Sequence, residues 1–328
     1  MKIAVVGGGS WGTAMARLLA MNGHAVTLAC RDPEQAEAVN RYHRNPRYLP
    51  DVTLPPEIRA AGFDQASLEG VELVAFAVPS AAFAATLGRF VDRLPADAAL
   101  LSLTKGLDPR DRRRMSEMLA TVAPAERIAV LSGPNHAEEV ARDFPTASVL
   151  ASLDTDLARR LQEQIGARRL RIYTSTDVIG VELCAAAKNV IGLAAGVSDG
   201  LGFGDNAKAA IITRGMAEMA RMGEGFGARA RTYSGLAGMG DLVATCTSRH
   251  SRNRKAGELL AKGVRAEWIE RDIGQVVEGL STSRALRDLA ADRGLELPIT
   301  SAVCDVAWGG VTATDALAAL MAREQTEE

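Results

Sequence analysis

The sequence predicts an α/β fold in two parts, a doubly wound sheet domain followed by an all-helical domain. Three observations carry that prediction. Short, fully apolar runs alternate through the first half with longer segments able to hold crossover helices; strand signals stop after about Thr174; and 328 residues are enough for roughly two domains.

The apolar runs, in order, are KIAVV (Lys2 to Val6), AVTLA (Ala25 to Ala29), LVAFAV (Leu73 to Val78), ALLSL (Ala99 to Leu103), IAVLS (Ile128 to Ser132) and ASVLA (Ala147 to Ala151), with a last short candidate in LRIYT (Leu170 to Thr174). Each is bounded by Gly, Pro, Asp or Ser. A strand that is apolar on both faces reads as a buried strand of a parallel sheet covered by helices. After Asp177, VIGVELCAAAKNVIGLAAGVSDG predicts a long helix, and AKAAIITRGMAEMARM predicts a second. The remainder reads as helices separated by glycine-rich turns and ends in a polar tail, EQTEE. The expected domains are residues 1–180 and 181–328.

Composition narrows the partners. Lys and Arg total 38 against 40 for Asp and Glu, a net charge of −2, which leaves no global positive field for nucleic acid. The cysteines (Cys30, Cys184, Cys246, Cys304) form no CxxC pair and the four histidines show no ligand spacing, so neither a metal site nor a disulfide framework is expected. Reduced thiols suit the cytoplasm. The chain reaches Gly7 after a short apolar run, and the longest apolar stretch noted, near Leu73 to Gly88, is broken by Pro79 and Ser80; no signal peptide or membrane span is expected.

KIAVVGGGSWGTAMARLLAMNGHAVTLACRD places Gly7, Gly9 and Gly12 in G-x-G-x-x-G spacing, after one predicted strand and at the start of an apolar-periodic helix. Three glycines together could be only a turn. The flanking strand, helix and second strand favour a dinucleotide site of Rossmann type: Gly7 for the tight turn, Gly9 for approach of a pyrophosphate, Gly12 for helix packing, and the helix N-terminus for the anion. At the end of the second strand Arg31 suits a 2′-phosphate, while Asp32 suits a free ribose hydroxyl or simply a helix cap before Pro33. NADPH is the expected cofactor, with NADH accepted.

Arginine is the default cation here, thirty-two against six lysines. A lysine kept in an apolar or glycine-rich setting points to work that a forked, permanently charged guanidinium cannot do, although coding bias would also leave a few at chance positions. Lys105, in TKGL, and Lys188, inside the long helix, fit.

Five further segments bear on identity: TKGLD (Thr104 to Asp108), SGPNHAEEV (Ser132 to Val140), ELCAAAKNVIGLAAGVSDGLGFGDNAKAAIITRG (Glu182 to Gly215), GLAGMGDLVATCTSRHSRNRKAG (Gly235 to Gly257) and IGQVVEG (Ile273 to Gly279). With them the chain closely resembles the prokaryotic-type NAD(P)-dependent sn-glycerol-3-phosphate dehydrogenases from Lys2 to about Trp308. That resemblance implies reversible reduction of dihydroxyacetone phosphate to sn-glycerol 3-phosphate, feeding glycerophospholipid synthesis. It implies cofactor contacts from Ser10, Trp11, Arg31, Lys105, Ala137, Arg252, Val276 and Glu278. It implies substrate contacts from Lys105, Gly133, Asn135, Lys188, Asp241, Ser251, Arg252 and Asn253, with Lys188 as proton donor and acceptor. Asn135 departs from the Ser or Thr more usual in the family.

The residues also argue for themselves. Val181, Cys184, Lys188, Ile191 and Ala195 recur at spacings of three and four, so Lys188 should project from an apolar stripe where it can exchange a proton. The bland alternative is a lysine reaching the surface from a helix edge. Asp241 and Thr245 share a face if DLVATC is helical, and a carboxylate there could fix the lysine; Thr245 joins the substrate set. Asp241 also suits a first helical turn. SRHSRNRK can offer guanidinium, hydroxyl and amide donors to one phosphate, though such runs are more often solvated surface. His136 has no expected role, and Trp268 and Trp308 read as packing. The expected arrangement is cofactor on the sheet domain, phosphate on the helical domain and hydride transfer in the cleft between. Two rivals are a β-hydroxyacid or 6-phosphogluconate-type dehydrogenase, which would take a carboxylate, and a non-catalytic NAD(P)-binding redox sensor, which would need neither Lys188 nor the basic segment. Oligomeric state is not legible in the sequence, with a homodimer left open.

Overall fold

The computed structural model describes residues 1–323, so the expected polar tail, Glu324 to Glu328, lies outside the described residues. The chain divides into two compact units: Met1–Lys105 with Arg113–Glu182, and Gly106–Arg112 with Leu183 onward. The first unit is therefore not the single run 1–180. Residues 106–112 group with the second unit, where Arg112 pairs with Asp292 at 2.7 Å.

In the first unit β1 (Lys2–Val6), β2 (Ala25–Cys30), β3 (Arg59–Gly62), β4 (Leu73–Phe76), β5 (Ala99–Ser102), β6 (Ile128–Ser132), β7 (Thr146–Ala151) and β8 (Leu170–Ser175) form one sheet, ordered β3-β2-β1-β4-β5-β6-β7-β8. Between them run α1 (Ser10–Met21), α2 (Pro33–Tyr42), α3 (Ser80–Phe90), α4 (Met115–Leu119), α5 (Ala137–Val140) and α6 (Thr155–Ile165). The order runs outward from β1 in both directions, as a doubly wound sheet does. Alternate residues of β1 serve different cores: Ile3 and Val5 pack with Met15, Leu19 and Leu28, whereas Ala4 and Val6 pack with Phe76, Phe83 and Phe90. That period of two explains why the central strands are apolar throughout. Each buried Phe contributes about 1.5–3 kcal/mol. The edge-to-face pair Phe63 and Phe90, 5.4 Å between ring centres, adds about 0.5–1.5 kcal/mol.

Two features correct the expected sheet. β3 is not among the predicted strands, because Arg-Ala-Ala-Gly lacks β-branched residues and pairs only with β2, at the edge. β6 and β7 run antiparallel, Leu131 opposite Leu150, although both read as parallel strands. An apolar run carries no strand direction.

The second unit is helical: α7 (Val178–Gly200, whose first turn lies in the first unit), α8 (Gly204–Gly225), α9 (Ala230–Tyr233), α10 (Asp241–Thr247), α11 (Arg252–Ala261), α12 (Ala266–Ile273), α13 (Glu278–Ala291), α14 (Pro298–Trp308) and α15 (Ala313–Met321). A glycine stripe on α7 lets other helices approach it backbone to backbone. A Cβ on Gly196 would lie 1.9 Å from the Arg254 carbonyl oxygen, and one on Gly257 would lie 2.1 Å from that of Leu193. Helix α7, not the stretch near Leu73 to Gly88, is the segment among the described residues long and apolar enough to cross a membrane, and 89% of its apolar window is buried inside the fold, as in a core helix.

Two buried carboxylates cap helices from a distance. Glu182 accepts from the Ser116 N–H (2.8 Å) and hydroxyl and from Arg114 (3.1 Å), at the start of α4. Glu218 of α8 accepts from the Ile299 and Thr300 N–H groups at the start of α14, donors that have no partner within that helix. Burial pushes both carboxyls above the usual range against the pull of these donors. Trp308 is packed, its indole N–H donating to the Leu280 carbonyl at 3.2 Å. Trp268 corrects the expectation: it is 41% exposed, under the guanidinium of Arg271.

Candidate active site

In the first unit the site is made of backbone. Strand β1 ends at Val6, and Gly9 is the N-cap of α1. Gly7 has φ +119°, and a Cβ there would lie 2.5 Å from the Ala77 carbonyl oxygen; a Cβ on Gly12 would lie 1.9 Å from that of Gly7. Neither position admits a side chain. Around Gly9 nothing lies within 4 Å of an added Cβ, so the open side of the loop is where an anion can approach the first N–H groups of α1. Trp11 supplies a buried indole N–H with no acceptor among the described residues. These observations fit a bound dinucleotide. Ser10 directs its hydroxyl to the Tyr48 carbonyl at 3.3 Å, leaving its backbone N–H as the group for the loop.

Arg31 is exposed just beyond β2, whereas Asp32 accepts from the Glu34 N–H at 3.0 Å as the N-cap of α2. The cap that Asp32 offers is formed, through Oδ1. Lys105, just after β5, donates to the Gly133 carbonyl (2.8 Å) and Asn135 Oδ1 (2.6 Å), and Asn135 passes a bond to the Ser148 hydroxyl (3.0 Å). Gly133, at φ +138°, brings the loop within 3.0 Å of the Ser148 Cα, measured from an added Cβ. Ala137 begins α5 two residues beyond Asn135. The departure at Asn135 thus has a physical account: an amide accepts from the lysine and donates to Ser148 at once, using both its ends.

In the second unit the site is made of side chains. Lys188 of α7 is 5% exposed and donates to Asp241 Oδ1 (3.0 Å) and Thr245 Oγ1 (2.8 Å), which are 2% and 1% exposed on one face of α10. The expected apolar stripe is corrected to something broader: Ala185, Ala186, Val190 and Leu193 are buried as fully as Val181, Cys184, Ile191 and Ala195, so Lys188 sits in a helix buried on every side. Removing two charges from water costs several kcal/mol per ion, so this pair is weak as a stability device. Asp241 is set by a π-type turn, Leu236–Gly240, closed by the Gly240 N–H on the Gly235 carbonyl at 3.1 Å. Only glycine fits at 238, where a Cβ would meet the Tyr233 carbonyl oxygen at 2.1 Å. Buried Cys246 is no nucleophile, since burial pushes its thiol up to about 12 despite the charge of Lys188.

The basic segment folds as the start of α11. Ser251 caps it, accepting from the Arg254 N–H at 3.2 Å, and Arg252 is exposed with Nη1 on the Val276 carbonyl at 2.8 Å. Glu278 opens α13 two residues later. Asn253 donates to Asn189 Oδ1 and accepts from the Gly279 N–H, both at 2.9 Å. Gly192, one turn beyond Lys188, joins the two groups: an added Cβ would meet both Thr245 and Asn253 side chains. Asn189 is a residue that sequence reading missed, as were Gln35 and Asn45, which reach the Gly8 carbonyl. Nothing in the sequence around these three marks them.

Comparison with known proteins gives the same picture across the whole chain. Residues 2–158 match the family described as NAD-dependent glycerol-3-phosphate dehydrogenase N-terminus, and residues 177–318 match its C-terminus. Relatives named glycerol-3-phosphate dehydrogenase (NAD(P)+) include those of Oleidesulfovibrio alaskensis, 48% identical, and Corynebacterium glutamicum, 46% identical, each covering 100% of both chains. A crystal structure of glycerol-3-phosphate dehydrogenase from Coxiella burnetii superposes with a TM-score of 0.93 at 39% identity, covering 98% of this chain and 99% of that one. D-Mandelate dehydrogenase, at 14% identity and a TM-score of 0.66, shares the fold alone. With both of its halves matched and relatives of this identity along its full length, the chain belongs to the NAD-dependent glycerol-3-phosphate dehydrogenase family.

Proposed function

We propose that the chain reversibly reduces dihydroxyacetone phosphate to sn-glycerol 3-phosphate with NADPH or NADH, supplying glycerophospholipid synthesis. The observation that carries the reading is the buried Lys188, held by Asp241 and Thr245, in a family of this name. When bound, the reduced nicotinamide would supply the hydride for the carbonyl carbon. Negative charge then builds on the carbonyl oxygen, and the Lys188 ammonium stabilises it and delivers the proton that completes the alcohol. Asp241 holds that ammonium in position and Thr245 accepts a further bond from it, leaving one of the three N–H donors for substrate. Ser251, Arg252 and Asn253 supply hydroxyl, guanidinium and amide donors for the phosphate.

In this reading Gly7, Gly9, Ser10, Trp11 and Gly12 cradle the dinucleotide, Arg31 pairs with a 2′-phosphate, and Ala137, Val276 and Glu278 line its remaining length. Lys105, with Gly133 and Asn135, brings positive charge to cofactor and substrate. Arg31, exposed just beyond β2, is what supports NADPH over NADH. A cytoplasmic location suits its free, buried cysteines.

The test is loss of NADPH absorbance with dihydroxyacetone phosphate beside free dihydroxyacetone, and gain of NADPH absorbance from NADP+ with a 3-hydroxy acid. Turnover of the phosphorylated ketone is expected to exceed that of the free ketone by a large, measurable factor, with none of the hydroxy acid. Arg252→Ala should lower the ratio of activity on the phosphorylated over the free ketone, by about 2–5 kcal/mol of transition-state binding where the bound phosphate buries the charge pair. An unchanged ratio removes Arg252 from the phosphate site, and oxidation of the hydroxy acid would reassign the substrate class. A specificity constant at least about tenfold better with NADH, roughly 1.4 kcal/mol, would end the NADPH preference.

A further inference from the structure

We propose that Asn45, with Gln35 and Thr13, locks the Gly8 carbonyl so that the glycine loop presents the Gly9 N–H to the diphosphate of the cofactor, which makes Asn45 a positioning residue for cofactor affinity. The inference rests on the cofactor reading above.

Three donors from three places in the chain converge on one oxygen. The Gly8 carbonyl accepts from Asn45 Nδ2 at 2.9 Å, from Gln35 Nε2, and from the Thr13 hydroxyl at 3.4 Å. Thr13 belongs to α1, Gln35 to α2, and Asn45 to the turn after α2, where its own carbonyl accepts from the Leu49 N–H at 3.0 Å. Asn45 also donates to the Thr13 hydroxyl at 2.8 Å, which closes the set. A carbonyl has two lone pairs, so three donors saturate it.

The consequence follows from the peptide itself. No cis peptide bond occurs among the described residues, and a planar trans unit points its C=O and N–H in opposite directions. Holding the Gly8 oxygen on the three donors turns the Gly9 N–H away from them, and that N–H has no acceptor among the described residues. A run of glycines otherwise leaves the peptide plane free to turn. The lock removes that freedom before any ligand arrives, which lowers the ordering cost of binding.

Asn45 is also a poor choice for structure alone. It is 0% exposed, and its Oδ1 has no hydrogen-bond partner among the described residues. An aliphatic side chain of the same shape would avoid that burden. What the amide offers in exchange is two N–H donors at the one place that controls the loop.

The test measures binding of NADPH, ADP-ribose and adenosine 2′-phosphate to the full chain and to Asn45→Leu, with thermal midpoints and steady-state constants alongside. ADP-ribose keeps the diphosphate without nicotinamide; adenosine 2′-phosphate lacks the diphosphate. Asn45→Leu should weaken NADPH and ADP-ribose by about tenfold or more and leave adenosine 2′-phosphate within about twofold, with KM for NADPH rising by a larger factor than kcat falls. Equal losses for all three probes, or none, overturn the lock. Failure of the parent chain to bind NADPH overturns the cofactor reading instead. Should Asn45→Leu not fold, Gln35→Leu removes one donor at a half-buried position. The same pattern at smaller size is expected there, and indifference of ADP-ribose to the change overturns the lock.

Discussion

The glycine loop of the first unit and the lysine site of the second are built of different materials. The loop works by what its residues lack: two positions admit no Cβ, one faces open space, and the groups offered to the ligand are backbone N–H. The lysine site works by what its residues carry, an ammonium, a carboxylate and a hydroxyl brought together from positions 53 and 57 residues apart. A backbone site must be written as one consecutive stretch, because the turn itself is the site. A side-chain site is written only in the packing of helices.

That contrast can be broken at several points. The largest effect should come from Lys188. Both Lys188→Ala and Lys188→Arg should lose roughly 10²-fold or more in turnover, because arginine keeps the charge and holds its proton too tightly. NADPH binding, followed by fluorescence titration, should stay near that of the parent. Turnover largely retained in Lys188→Arg would reduce this residue to an electrostatic role.

The next effect separates two glycines of one motif. Gly12→Ala drives a Cβ into the Gly7 carbonyl and should cost about 1–3 kcal/mol or more in stability. Gly9→Ala meets nothing and should melt within about 0.5 kcal/mol of the parent while binding NADPH more weakly. Equal melting of the two variants would show that the loop is not shaped by close packing.

The smallest effect is a pH dependence. Burial raises the Glu218 carboxyl, so between the unfolded value, about 4.3, and the raised folded one the native chain holds more protons, and stability falls as pH rises through that window. Glutamine does not titrate. Relative to the parent, Glu218→Gln should gain stability on going from about pH 4 toward neutrality, by at most about 1.4 kcal/mol per pH unit inside the window. Denaturant titrations at several pH values check it, and a flat difference would mean that this carboxyl titrates alike in both states.

Much of the first unit was legible because burial on both faces writes strands as unbroken apolar runs; β1 and β6 fall at the residues read for them. Edge strand β3 was not, since four residues paired on one side need little apolar surface, and the reversed direction of β7 leaves no trace in a period of two. In the second unit the pairing of Asp241 and Thr245 on one helix face was readable from a spacing of four. A carboxylate there that fixes Lys188 was also expected and is formed; the packing that makes the contact was not legible, because it depends on glycines at 192, 196 and 257 that let α7, α10 and α11 close together. Asn45 escaped altogether, as its meaning lies in which carbonyl it reaches.

Gly106–Arg112 lies within the sequence of the first unit and belongs to the second, so no single cut of the polypeptide yields two self-sufficient pieces. A fragment ending at Glu182 keeps Arg112 without Asp292, and one starting at Leu183 has the reverse defect. Synthesis meets the same asymmetry, because the ribosome releases this segment long before the helices it joins, leaving the early-folding half with an unhoused loop until translation is nearly complete. Neither half is a clean cassette for swapping, truncation or separate expression, and the two are inherited as one object.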